Sequence, residues 1–571
     1  MGTDENMKFK YSLTQMIFIL GYLGLILFGV IFNSPSESNV KTTVNNQKDY
    51  NLATLVDNKG HFLVYNKNKY EVWIDLEFMK KRNEYWNNKS TLNSKYSDDE
   101  LGNKKFLFWG VYDTEEEAKE SLGDMRRFAN IYVNQERVYN NLFSYDSLIG
   151  NYKTTQYGIE KYLHENGLLK EKSTIRLSLD NELQNYLYYE LKKTVEEKKA
   201  NGAVAIVMDT KTGKIRASVS IYPWNLGYMG YIEPGSTLKP MIYALALDEK
   251  IITENEKFES TYNYKPEEDL NFIVTESEGY GLGELNIRDA LILSSNISIA
   301  KVMKKIKEEF SNEWIYERLI SMGFGTKTDA EFKGEIDGVL KYPDNWYSIT
   351  PYQIALGQGI GVTPIQLIST FNSLVNNGIY KEPTFLENKE SEARRVFSEE
   401  ISEKLVEWMN YVTISGTAKL AYREGMLIGG KTGTAQKAIA GEGYNEEAYY
   451  SLFEGYYPAT NPRYTFLVIV DNPQGEFYGG EVAAPVVTEA FYKYEKDFSN
   501  LETKKIIFKN VMPNIEGMYI HEAVNFLISA GVSKNDIIIT GNGDYVEEQY
   551  PKPGVLIDKN RYFQIKTAKM E

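Results

Sequence analysis

The sequence predicts a multidomain chain built from α/β and α+β units behind a single N-terminal transmembrane helix. Three observations predict it. The length, 571 residues, exceeds the roughly 250 to 300 residues at which one hydrophobic core stops growing. One long apolar run without charge stands near the start. Beyond it, strand-like and helix-like periodicities alternate in blocks separated by polar stretches.

The apolar run is Met16 to Phe32, MIFILGYLGLILFGVIF. Extended back to Tyr11 it reaches about 33 Å as a helix, enough to cross the hydrocarbon layer. Residues 1–10 are therefore expected in the cytoplasm, residues 11–32 in the membrane and the rest beyond it. Lys8 and Lys10 abut the span on its N-terminal side, whereas Lys41 and Lys48 lie further off on the other, the asymmetry of a positive-inside segment. A cleaved leader is the rival reading, but the run is long and no A-x-A-like site follows it.

Residues 33–170 alternate short apolar stretches, such as Tyr70 to Asp75, with charged helical ones, such as Thr114 to Lys119. They predict a mixed domain with no evident chemistry. From Gly202 the pattern sharpens. Ala203 to Met208 and Lys214 to Val219 flank the turn Asp209-Thr-Lys-Thr-Gly213, which predicts a hairpin. Tyr449 to Phe453 and Tyr464 to Asp471 read as further strands, with helical stretches around Ile287 to Lys307 and Ile365 to Asn376 between. Residues 171–498 thus form a mixed domain with strands at both of its sequence ends. Residues 505–571 predict a separate small α+β module: an amphipathic helix from Tyr519 to Ala530, then strands at Asp536 to Thr540 and Tyr562 to Lys566.

Composition narrows the chemistry. A formal charge of -15 argues against a nucleic-acid partner, which needs clustered Lys and Arg. With no Cys, disulfides, thiolate nucleophiles and Cys-ligated metals are excluded. The three histidines, His61, His164 and His521, leave the stretch from Glu165 to Ile520 without imidazole. Chemistry there must use another base, and nothing in the ligand inventory calls for a metal or an organic cofactor.

A serine can be activated by a lysine that is held close and kept neutral by partial burial. Glu233-Pro-Gly-Ser-Thr-Leu-Lys-Pro240 offers Ser236 and Lys239 at i, i+3, on one face of a helix. Pro234 and Gly235 suit the entry to that helix, so Ser236 would lie among free N–H groups that stabilise an oxyanion. S-x-x-K alone carries little weight, because Ser38/Lys41 and Ser298/Lys301 match it too. Likewise S-x-N occurs at Ser294/Asn296 and Ser533/Asn535, and K-T-G at Lys431 to Gly433 and Lys211 to Gly213. Order and context discriminate. Lys211 lies in the hairpin turn, Ser38 beside the apolar run and Ser533 in the tail, while Ser298 reads as a surface residue on the helix of Ser294. Ser236/Lys239, Ser294/Asn296 and Lys431-Thr432-Gly433-Thr434 remain, in one domain and in sequence order.

These blocks, with Gly357-Gln-Gly-Ile-Gly-Val-Thr-Pro364, Gln366 and Gly429-Gly-Lys-Thr-Gly-Thr-Ala-Gln436, resemble the class B penicillin-binding proteins, the peptidoglycan D,D-transpeptidases of division or septal type. Val56 to Asp75 and Tyr157-Gly-Ile-Glu160 resemble that family's pedestal, without its usual Arg-Gly opening. Val511 to Met518 and Val546 to Gly554 resemble a PASTA module. The resemblance implies a pedestal or dimerisation-like domain at 33–170, a penicillin-binding transpeptidase domain with an antiparallel sheet flanked by helices at 171–498, and a PASTA-like module at 505–571. It implies a bacterial cell membrane protein, single-pass, with its catalytic domain on the outer side.

The implied reaction is acyl transfer. Ser236 attacks the stem peptide at the penultimate carbonyl of D-alanyl-D-alanine and Lys239 is its general base. Ser294 relays a proton, and Asn296 orients Lys239 and the substrate amide. Lys431 keeps Lys239 neutral. Thr432 and Thr434 receive the terminal carboxylate, beside Gly433, and the N–H groups of Ser236 and Thr434 form the oxyanion hole. Implied partners are donor and acceptor stem peptides, β-lactams as covalent inhibitors, the membrane, and a polytopic glycosyltransferase with other division proteins. A β-lactamase or β-lactam sensor would share the three motifs, and a wall-binding scaffold without catalysis would share the fold.

Overall fold

The computed structural model describes residues 52–140, 144–171, 174–277, 279–423, 426–439, 443–497, 515–516, 520–529, 532–543, 545–551 and 563–569. The expected span at residues 11–32 lies outside them. Among the described residues no helix is long and apolar enough to cross a membrane.

The upstream sheet is organised by one long strand. Strand β2 (Phe62–Asp75) pairs antiparallel with β1 (Thr54–Val56) and β3 (Phe106–Tyr112), and from Val64 to Ile74 with β4 (Ala129–Tyr139). β1 continues in parallel to β5 (Thr174–Arg176). Period-2 alternation explains which face is covered. Val72, Ile74, Leu107 and Trp109 turn inward onto Met79, Leu92, Leu101 and Ala118 of the short helices. Two of those helices start with capping boxes, Ser97/Glu100 and Thr114/Glu117, which satisfy N-terminal N–H groups and fix where each helix begins.

The central domain is a five-stranded antiparallel sheet in the order β8-β9-β10-β6-β7. Its strands are β6 (Gly202–Asp209), β7 (Ile215–Ile221), β8 (Gly429–Ile439), β9 (Gly443–Tyr457) and β10 (Tyr464–Asp471). The hairpin predicted at residue 209 is β6 to β7. β10 closes onto β6 in unbroken register from Tyr464↔Asp209 to Asp471↔Gly202. On one face, helix α1 (Asn181–Glu197) lies beside α6 (Ala484–Asp497), joined by the Lys493–Glu190 ion pair and by a hydrogen bond from Tyr494 to Asp180. On the other lie α2 (Lys239–Asp248), α3 (Asn296–Glu309), α4 (Pro364–Val375) and α5 (Glu399–Ile414). Every residue of α4 is buried. Its start is set by Thr363, a capping box with Gln366, and Pro364 in the first turn, a position where proline loses no hydrogen bond.

Two expectations change. The helical stretch around Ile287 to Lys307 is broken: one helix runs Ile287–Ile292, and α3 begins at Asn296. Ser294 adopts φ +61°, a left-handed conformation that no helix continues through, and Ser295 caps α3 by accepting from the Ser298 N–H. Ser298 is fully buried and bonded to Ser295, so it is not the surface residue expected from its spacing.

In the tail, α7 (Ile520–Ser529) accompanies three strands, β11 (Ile537–Gly541), β12 (Tyr545–Tyr550) and β13 (Phe563–Ala568). β13 is central, parallel to β11 and antiparallel to β12. The α+β composition expected there is present.

Between Phe324 and Leu340 the chain packs over the start of α4, where Gln366 donates to the carbonyls of Thr326 and Asp337. In this segment burial pushes the Glu335 carboxyl up to about 7, against hydrogen bonds from the Thr328 N–H and hydroxyl that favour its charged form. A carboxyl whose folded pKa is raised binds its proton more tightly than in the unfolded chain, so its contribution to stability falls as pH rises from about 4.5 to about 7. Glu335→Gln keeps the acceptor and removes the charge. It is expected to raise the melting temperature at pH 8 by the equivalent of at most about 3 kcal/mol, with the gain vanishing near pH 5, as thermal denaturation across that range would record.

Candidate active site

The site is assembled where the start of α2, the start of α3 and edge strand β8 meet. Ser236 lies in a 3₁₀ turn, Gly235–Leu238, that runs directly into α2, whose first residue is Lys239. This differs from the single α-helical turn expected from the i, i+3 spacing. In 3₁₀ geometry residues three apart eclipse one another, so the serine and the lysine still share a side. Ser236 keeps partial access to solvent, whereas Lys239 is completely buried.

Glycines hold that turn in place. Gly235 has φ +55°, and a Cβ there would lie 3.2 Å from the carbonyl oxygen of Thr434. The Gly235 N–H donates to the Gly357 carbonyl at 2.9 Å. A Cβ on Gly357 would fall 1.9 Å from the Gly235 carbonyl oxygen, closer than any two such atoms can stand. The Gly359 N–H donates to Glu233 at 2.8 Å. The Gly357-Gln-Gly359 loop is therefore a backbone brace against the turn that carries Ser236, and Thr434 lies against its other side.

Lys239 Nζ donates to Asn296 Oδ1 at 2.7 Å, to the Ser294 carbonyl at 2.5 Å and to Ser294 Oγ at 3.3 Å. Lys431, also fully buried, reaches the same hydroxyl from β8: its Nζ donates to Ser294 Oγ at 2.9 Å and to the Thr432 carbonyl at 2.9 Å. Ser294 Oγ is thus shared by the Nζ atoms of two lysines, and its own proton is free to point elsewhere. The left-handed backbone at Ser294 turns its carbonyl toward Lys239.

Of the expected residues, Lys239, Ser294, Asn296 and Lys431 are joined by these hydrogen bonds, and Ser236 lies three residues before Lys239 in the turn that leads into α2. Gly433 fits the same face, since a Cβ there would press on Thr237 at 2.8 Å. Thr432 and Thr434 alternate to the opposite face of β8. The Thr432 hydroxyl pairs with Thr417 at 2.5 Å, and the Thr434 hydroxyl accepts from the Gly479 N–H at 3.4 Å.

Sequence reasoning missed the group that fixes α3. Glu276 is buried and accepts from Ser295 Oγ at 2.6 Å, the Asn296 N–H at 2.7 Å and the Ile297 N–H at 3.3 Å, with Ser260 as a further donor. A carboxylate on the first N–H groups of a helix is favoured by both hydrogen bonding and the dipole. The Asn296 side chain also donates to the Thr275 carbonyl at 2.9 Å. Glu276 sits in a run of ordinary polar residues with no periodicity or motif, so nothing in the sequence distinguishes it.

Residues 203–492 match the family described as "Penicillin binding protein transpeptidase domain", and residues 510–569 the PASTA domain. The chain belongs to the penicillin-binding protein transpeptidase family. Stage V sporulation protein D of Bacillus subtilis is 27% identical over 440 residues, 69% of this chain and 65% of that protein. The peptidoglycan D,D-transpeptidase FtsI of Escherichia coli (strain K12) is 30% identical over 329 residues, 55% of this chain and 54% of that one. The matched part is thus less than two thirds of each relative. Among solved structures, the transpeptidase domain of penicillin-binding protein 3 from Burkholderia pseudomallei is similar with a TM-score of 0.52 and 29% identity, over 57% of this chain and 97% of that one.

Membership of a penicillin-binding family makes acylation by a fluorescent penicillin the natural readout for the braces. Gly357→Ala is expected to displace the turn that carries Ser236 and slow labelling at least tenfold, since sub-ångström misplacement of a reacting group is costly. Glu276→Ala leaves several buried donors unpaired. It is expected to destabilise by about 2 to 4 kcal/mol in chemical denaturation and to slow labelling of the protein that remains folded.

Proposed function

We propose that this chain is a serine-acylating peptidoglycan D,D-transpeptidase that cross-links stem peptides in cell-wall synthesis, at the septum, and is a target of β-lactams. The observation that carries the reading is the sharing of Ser294 Oγ by Lys239 and Lys431 beside Ser236, in a domain without histidine.

In the first half-reaction the Ser236 oxygen attacks the penultimate D-alanine carbonyl as its proton passes to Lys239, which must be neutral to accept it. Burial and the positive charge of Lys431 favour that neutral form. The carbon–nitrogen bond breaks, and the terminal D-alanine leaves with a proton relayed through Ser294. In the second, an amine from a neighbouring stem attacks the ester, and Ser236 recovers its proton. Asn296 holds Lys239 and the substrate amide. The N–H groups of Ser236 and Thr434 stabilise the oxyanion, while the Thr432 and Thr434 hydroxyls, on the side of β8 away from Lys431, receive the terminal carboxylate of a substrate lying along this edge strand, with Gly433 leaving room for the peptide backbone. The reading uses no metal or organic cofactor.

The same reading extends to the setting. Residues 11–32 span the bacterial cell membrane once, residues 1–10 stay in the cytoplasm, and the pedestal (33–170) carries the transpeptidase domain (171–498) on the outer face, followed by the PASTA module (505–571). A polytopic glycosyltransferase and other division proteins are the fitting partners, since a transpeptidase needs new glycan strands to join. Support comes from the family match and from the names of relatives, stage V sporulation protein D and the D,D-transpeptidase FtsI.

Mass spectrometry of the benzylpenicillin adduct tests the reading. One adduct on Ser236 is expected, long-lived, absent in Ser236→Ala and formed at least a hundredfold more slowly in Lys239→Ala. Rapid release of hydrolysed penicillin would make the protein a β-lactamase instead. Absence of any adduct on folded protein would make it a scaffold.

A further inference from the structure

Strand β9, next to the edge strand of the site, carries a group that the mechanism above does not use. Glu454 lies directly opposite Lys431 in the register of β8 and β9. Residues so paired project to the same face and are close neighbours. The carboxyl is fully buried, and no group among the described residues hydrogen-bonds either of its oxygens. An uncharged side chain of the same length would avoid the cost of burying an unbonded carboxyl, so its presence beside a buried lysine calls for a reason.

We infer that Glu454 is a proton-dependent switch beside Lys431: it holds a proton in the working enzyme, leaving the lysine charge to Ser294 and to an anionic substrate, and losing that proton switches the site off. This inference rests on the function proposed above. Burial drives the Glu454 carboxyl well above the usual carboxylate range, and Lys431 is the charge that opposes the shift. While neutral, Glu454 does not compete for the ammonium group, and Lys431 Nζ stays on Ser294 Oγ and the Thr432 carbonyl. Once ionised, it would form a buried ion pair one strand away, pulling the lysine from Ser294 and cancelling the positive charge that keeps Lys239 neutral. The step moves only a proton, from Glu454 to solvent base.

The other titratable groups on the packed elements are Lys239, Tyr243 and Asp248 on α2, Glu399, Glu400, Glu403, Lys404, Glu407 and Tyr411 on α5, and Tyr464 and Asp471 at the two ends of β10, where Leu467 lies opposite Glu454. β9 itself adds Tyr456, whose hydroxyl is engaged by Asn410 and the Val406 carbonyl. α4 has no titratable side chain between Pro364 and Val375. Lys431 is the charge with which Glu454 interacts.

The test is the pH profile of the second-order rate of acylation by benzylpenicillin, which bears a carboxylate, in the whole protein. Glu454→Gln and Glu454→Met, both permanently neutral, are expected within threefold of wild type at pH 7. Their alkaline decline should move up by at least one pH unit. Superimposable alkaline limbs in folded variants would overturn the inference, as packing alone moves no titration. A loss of tenfold or more at pH 7 in both, with melting temperatures retained, would overturn it in the other direction, by showing that the carboxylate charge is needed. Should neither variant fold, isotope-edited infrared spectroscopy of wild type decides: a protonated-acid carbonyl band at pH 7 that fades where acylation falls is expected, and an ionised carboxylate at pH 7 refutes it. If wild type is not acylated at any pH, the proposed function fails, and the infrared band alone still reports whether Glu454 holds its proton.

Discussion

Burying two lysines within reach of one hydroxyl is the constraint on which the centre of this molecule turns. An ammonium group loses much of its hydration when buried and must recover it from oxygen acceptors. Lys239 finds three, all from Ser294 and Asn296, and Lys431 finds the same serine and a carbonyl of its own strand. Those acceptors exist because the chain breaks its helix at Ser294, turns left-handed there, and restarts α3 under the carboxylate of Glu276. The helix break that a continuous apolar pattern conceals is therefore a requirement of burying these lysines.

The turn that carries Ser236 obeys a related constraint. Ser236 has to be reachable while Lys239, three residues on, is sealed. A 3₁₀ turn feeding an α-helix achieves this, and its geometry is imposed from outside by backbone: the Gly357 loop on one side and β8 on the other. Contacts made by main chain vary little with side-chain motion, which suits a site where reacting atoms must be placed to a fraction of an ångström.

The sequence disclosed the parts whose signal is local. The β6–β7 hairpin showed in its Asp209-to-Gly213 turn, α4 in its helical stretch from Ile365, and the residues of the candidate site in three short motifs whose order and context removed the competing matches. What stayed hidden depends on tertiary partners. Glu276 and Glu454 belong to no motif and become meaningful only when α3 and β8 are laid beside them. Ser298 looked exposed by helical spacing because spacing cannot tell which neighbour will cover a face. The left-handed Ser294 was hidden for the same reason: serine has no preference for that conformation, and the surrounding hydrogen bonds impose it.

The pairing of β6 with β10 has a consequence for how the molecule comes into being. Residues 202–209 find their partner only at 464–471, and α1 meets α6 across an even longer separation in sequence. Contacts this distant close slowly. While the chain is being made, the first hairpin waits with an unpaired apolar edge until Asp471 has emerged, so exposure to aggregation lasts through the synthesis of most of the domain and ends only with the strand that seals it.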